Sequence, residues 1–114
     1  MPMIFVYITT GTFEEARRIG RVLLEERLAA CVNITDGMRS IYRWDDAIEE
    51  GRETVMIVKT RAALFDALAD RVKALHSYTT PCIVELPLGR IDSGYLGWLT
   101  KETAPEGANK TISG

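Results

Sequence analysis

Two stretches with helical spacing of apolar residues each follow a β-rich run, and a longer β-rich segment lies between them, so few folds remain open to these 114 residues. Residues 3–9 (MIFVYIT) are β-branched and aromatic with no polar side until Thr9, which predicts a central strand covered on both faces. Thr10-Gly11 interrupts it. Thr12 and Glu15 have the spacing of a capping box, in which the threonine oxygen accepts an amide three residues on and the glutamate reaches back to the threonine amide. Ala16, Ile19, Gly20, Leu23 and Leu24 then form the apolar side of a helix, opposite Glu14, Arg17, Arg18, Arg21 and Glu25.

A second strand is predicted over Leu28–Ile34. Asp36-Gly37 is either a hairpin turn or a bulge in a strand that continues through Ser40–Trp44. The favoured reading is a long bent hairpin turning near Asp45-Asp46 and returning through Thr54–Lys59. Helical period resumes over 61–75, with Leu64, Phe65, Leu68, Val72 and Leu75 on one side, and ends near His76. Pro81 and Pro87 bracket the apolar run Cys82–Leu86 and mark the ends of one short strand, because an interior proline would remove a ladder donor. Tyr95, Leu96, Trp98 and Leu99 give a short closing helix, and the polar tail from about 103 carries no pattern and is expected to fray or lie over the surface. The order strand, helix, strand, strand, helix, strand is the α+β, ferredoxin-like βαββαβ arrangement, with both long helices on one face of an antiparallel sheet and a short C-terminal helix. Residues 1–114 are read as a single such domain.

Hydrophobic residues at 46% and charged residues at 26% are those of an ordinary globular chain, and a net charge of -2 offers no field for a phosphate backbone, so no nucleic acid partner is expected. The apolar N-terminal run has no basic flank and is too short for a signal or a membrane span, so no membrane partner is expected. Cys31 and Cys82 fall in apolar runs without framework spacing, which predicts reduced, buried thiols and a cytoplasmic location. Cys82 and His76 are close enough in sequence to consider a nucleophile and base, but a thiol in an apolar strand lacks the electropositive setting that activates it, and no enzyme activity is expected. His76 at a helix C-terminus, where the dipole favours an imidazolium and loops expose side chains, is the stronger candidate for binding an ion.

The segments Arg27–Ile34, Ser40–Trp44, Glu53 with Ile57–Thr60, His76–Pro81 and Tyr95–Leu99, in this order and spacing, resemble the CutA divalent-cation-tolerance family over roughly residues 4–101. That resemblance implies a homotrimer joined through sheet edges and the 40–59 hairpin, similar in form to the PII signalling proteins, with a role in tolerance of divalent, copper-like cations. Trimerisation would also cover the apolar edge that Ile41, Tyr42 and Trp44 leave on a monomer. It further implies weak copper or zinc binding, for which His76 and Cys31 supply imidazole and thiol donors, although no CxxC, HxH or HxxxH spacing is present. The alternative function is a PII-like signalling or scaffold trimer holding a small non-metal ligand between subunits. Where the family usually follows this histidine with proline, and the tyrosine with glutamate or glutamine, this chain has Ser77 and Thr79, so no carboxylate stands beside the histidine in sequence.

Overall fold

The computed structural model describes residues 2–103. In chain order its elements are β1 (Met3–Thr10), α1 (Phe13–Glu25), β2 (Cys31–Trp44), β3 (Ala47–Arg61), a single 3₁₀ turn (Ala62–Leu64), α2 (Phe65–Leu75), β4 (Ile83–Pro87) and α3 (Ser93–Glu102). The strands form one sheet in the order β2-β3-β1-β4, antiparallel at every junction, which is the ferredoxin-like arrangement the sequence predicts. Among the described residues no helix is long and apolar enough to cross a membrane. The expected tail lies outside the described residues beyond Thr103, itself buried.

Strand alternation sorts the core. Ile4, Val6, Ile8 and Thr10 of β1 stand opposite Thr60, Val58, Met56 and Thr54 of β3, all buried under α1 and α2. Ile19 and Leu23 of α1 and Leu68 and Val72 of α2 close this layer with no exposed surface. Gly20 lets α1 approach the sheet, since a Cβ there would sit 3.4 Å from Val32. Leu24, expected on the apolar side, is 41% exposed at the rim. The other sheet face carries Phe5, Tyr7, Val55, Ile57 and Lys59, which are only partly covered. There α3 packs on β3 through Leu99, so β1 is fully covered on the helix side alone.

Boundaries shift where tertiary pairing outweighs local pattern. Leu28 belongs to the helix terminus and not to the second strand: Arg27 adopts φ 58, its amide donates to the Leu24 carbonyl, and the Leu28 amide donates to that of Leu23, a Schellman-type closure. The helix expected from 61 starts at Phe65, because Arg61 is drawn into the ladder opposite Met3 and the Ala62 amide donates to the Pro2 carbonyl. Cys82 lies outside β4, whereas Pro87 is its last residue, tolerable on an edge strand whose outer amides need no partner. Asp36-Gly37 is the bulge and not the turn. The register slips between Thr35 and Met38, with Gly37 at φ 84, a conformation that favours glycine. The hairpin turns at Asp45-Asp46, both with positive φ, as a two-residue turn of the primed type requires.

Candidate functional site at the His76 clasp

Helix α2 stops because His76 turns to extended geometry, φ -80 and ψ 143, after its amide donates to the Val72 carbonyl. The turn carries the imidazole inward, and the His76 side chain has no exposed surface, contrary to the exposed loop histidine expected from sequence. Nε2 lies 2.8 Å from the Thr9 carbonyl oxygen and Nδ1 lies 3.0 Å from the Tyr78 amide nitrogen. A carbonyl only accepts and an amide N–H only donates, so these partners assign the proton to Nε2 and a lone pair to Nδ1. The ring ties the end of β1 to the start of the α2–β4 loop, with both nitrogens engaged. A metal ion would have to displace one of these hydrogen bonds.

The carboxylate missing next to His76 in sequence arrives from α1. Glu15 Oε2 accepts the Ser77 amide at 2.6 Å and Oε1 accepts the Ser77 hydroxyl at 3.0 Å, while Oε2 stands 3.7 Å from His76 Nδ1. Half of the predicted capping box forms, with Thr12 Oγ1 accepting the Glu15 amide, and Ser77 engages the carboxylate. Burial pushes the Glu15 carboxyl up, but the two Ser77 bonds, with smaller help from the Gly11 amide, outweigh it and hold the acid below its ordinary value. A depressed folded pKa contributes stability that is full above the unfolded carboxyl range near 4.3 and is lost as pH falls through the folded pKa. The expected result is that wild type loses more stability than Glu15→Gln between roughly pH 6 and pH 3. Parallel losses in the two denaturation series would remove Glu15 from the clasp.

Tyr78 extends the network to the hairpin base. Its hydroxyl donates to Glu53 Oε2 at 3.0 Å, and Ser40 donates to Glu53 Oε1 at 2.7 Å. The Tyr78 ring packs 4.7 Å from the His76 ring and over Gly11, where a Cβ would come within 3.5 Å of the hydroxyl. Burial, then the hydrogen bond and charge of Glu53, push the Tyr78 phenol up to about 12, so it remains a neutral donor. Burial and Glu53 also raise the Cys82 thiol. A thiol held up, and a histidine whose nitrogens are both bonded elsewhere, are the reverse of an activated nucleophile pair.

Cys31 and His76 are not brought together. Cys31 pairs with Lys59 whereas Thr9, the His76 partner, pairs with Val55, which separates them by four ladder positions or ~13 Å along the strands. Both cysteines are free and half-exposed, not buried as the sequence suggested: the register turns Cys31 to the sheet face away from α1 and α2, and Cys82 precedes its strand. On that face the Lys59 ammonium sits 5.4 Å from the Phe5 ring centre and 5.6 Å from that of Tyr95. Among the described residues no group of three or more His, Cys, Asp or Glu side chains is arranged to hold a metal ion. Two open depressions, of about 340 and 420 Å³, lie at the other end of the sheet around Arg27, Arg61 and Thr103, remote from His76. Sequence reasoning missed the parts of Glu15, Glu53 and Ser40 in the clasp. Only Glu15 had a local signal, and it pointed to helix capping.

Against known proteins, the family model described as CutA1 divalent ion tolerance protein matches residues 4–102. The chain is 50% identical over 98 residues to the divalent-cation tolerance protein CutA of Thermus thermophilus, covering 86% of this chain and 95% of that protein. It is 40% identical over 103 residues to the chloroplastic protein CutA 1 of Oryza sativa, covering 90% of this chain and 58% of the relative. A solved structure of the periplasmic divalent cation tolerance protein CutA from Archaeoglobus fulgidus superposes with a TM-score of 0.87 at 46% identity, over 90% of this chain and 99% of that one.

Proposed function

This chain belongs to the CutA1 divalent ion tolerance family, and we propose that it serves in divalent-cation tolerance as a non-enzymatic homotrimer. The observation that carries the assembly is the apolar surface a single chain leaves uncovered. Ile41 and Ile48 are each 69% exposed and Trp44 61%, with Val84 and Leu86 on edge strand β4 and Tyr95 and Trp98 on α3 also exposed. A monomer with an edge strand and this much exposed apolar surface is an aggregation hazard unless another chain covers it. Two free thiols suit a reducing compartment, so the cytoplasm is the proposed location.

Copper or zinc binding is proposed to be weak and to centre on Cys31, a partly exposed donor like Cys82 but without the burial and the Glu53 charge that hold the Cys82 thiol up, with further ligands supplied by a second chain. His76 then contributes through the fold and not as a ligand. The test is titration of copper and zinc into protein of measured mass, comparing wild type, Cys31→Ser and His76→Ala. Cys31→Ser is expected to weaken binding by about tenfold or more, and His76→Ala to leave the stoichiometry intact. Identical isotherms for wild type and Cys31→Ser would sink the assignment to Cys31, and loss of binding in a folded His76→Ala would return the ligand role to the histidine.

A further inference from the structure

Arg61 pins the last described turn of the chain. Its guanidinium donates to the Thr100 carbonyl and to the Thr103 hydroxyl, and that hydroxyl donates in turn to the Leu99 carbonyl at 2.8 Å. Thr103 is buried, so the point from which residues 104–114 continue is fixed. That point is the wall of a depression: Thr103 lines the larger of the two hollows at this end of the sheet together with Leu28, Ala63 and Leu64. The smaller is lined by Leu24, Glu25, Ala29 and Glu102, and Arg27 borders both.

The two hollows differ in character. The floor of the larger is aliphatic and gains by leaving water. The smaller is acidic where helix dipoles already make it electronegative: Glu25 ends α1, whose last turn holds no basic residue, and Glu102 ends α3. Among the described residues neither carboxylate makes a hydrogen bond or ion pair, and Leu24 beside them is exposed. This end of the protomer therefore leaves an apolar floor open and two carboxylates unpaired.

The chain that follows Thr103 carries the complement of both. Residues 104–114 hold one proline, Pro105, one cation, Lys110, and one large aliphatic residue, Ile112. Pro105 comes two positions after Thr103, at the larger hollow, and the seven residues to Lys110 reach up to ~24 Å when extended, enough to pass Arg27 to the smaller one. We propose that residues 104–114 dock on their own protomer as its cover, with Pro105 on Leu28 and Leu64, Lys110 between Glu25 and Glu102, and Ile112 on Leu24. An exposed ion pair fixes position more than it stabilises, so the apolar contacts carry the docking. Each contact is weak, but the segment is tethered within reach, and tethering lets a weak contact hold. The docking lies within one chain and does not rest on the trimer reading.

The test places a nitroxide on Ser113→Cys in the full chain, with Cys31→Ser and Cys82→Ser removing the native thiols, and reads backbone amide signals by isotope-edited NMR. The signals of Leu24, Leu28 and Leu64 are expected to lose half their intensity or more and to regain it when the nitroxide is reduced, while that of Tyr78, at the other end of the sheet, keeps its own. Adding Lys110→Glu and Ile112→Asp is expected to restore most of the intensity, which a tail that merely passes nearby would not do. Circular dichroism verifies the fold of each variant. No loss in the parent, or a loss that persists with both changes, overturns the docking. A mixture of isotope-labelled copies lacking the nitroxide with unlabelled copies carrying it reads the other occupant: a loss there as large as in the parent seats the tail on a second copy and overturns the same-chain assignment.

Discussion

Replacing His76 with alanine is expected to destabilise the folded chain by about 3–5 kcal/mol, far more than the loss of a helix-end surface residue. The imidazole is fully buried and bonded on both sides, so its removal strands the Thr9 carbonyl and the Tyr78 amide. Each unsatisfied buried backbone group costs roughly 1–3 kcal/mol, and the space left by the ring adds to that. Graded substitutions separate the two bonds. Asparagine can place an acceptor near Nδ1 and glutamine a donor near Nε2, so His76→Asn and His76→Gln should each recover part of the loss. Urea denaturation of the four proteins at fixed protomer concentration reads this out, and a cost below about 1 kcal/mol for His76→Ala would mean the clasp is not structural.

Leu99→Ala is the second large effect, expected at about 2–5 kcal/mol. Leu99 is the fully buried residue of α3, and it holds the helix over the sheet face that α1 and α2 leave open. The end of the helix is fixed separately: Arg61 donates to the Thr103 hydroxyl at 2.8 Å and to the Thr100 carbonyl at 2.6 Å. With Leu99 truncated, that polar clamp alone keeps α3 in place, and the Tyr95–Trp98 ring pair loses its anchor. A lowered thermal midpoint with a changed near-ultraviolet aromatic signal is expected. An unchanged midpoint would show that α3 docking contributes little to the stability of the protomer.

These two residues show where sequence reasoning reached and where it stopped. Leu99 was legible as apolar and helical, and the structure adds which face it covers. His76 was legible as the helix end, but its neighbours Pro81 and Cys82 give no hint that the ring turns inward. The carboxylate beside it comes from Glu15, a residue 62 positions from Ser77 that the local pattern assigns to a cap. Cys31 was misjudged for a related reason: apolar neighbours predict burial, while the ladder places it opposite Lys59 on the less covered face. The extra residue at the Asp36-Gly37 bulge likewise stayed open between turn and bulge until the pairing of Thr35 with Val55 and Met38 with Glu53 settled it.

By itself the sequence determined the order of the elements, the hairpin turn, the apolar sides of both long helices and the family resemblance. Each of these follows from short-range spacing, which the backbone periods of 2 and 3.6 translate directly into structure. The tertiary structure alone decided the state of His76, the source of its neighbouring carboxylate and the separation of His76 from Cys31. Those depend on strand register, and a shift of one residue would turn every side chain to the other face.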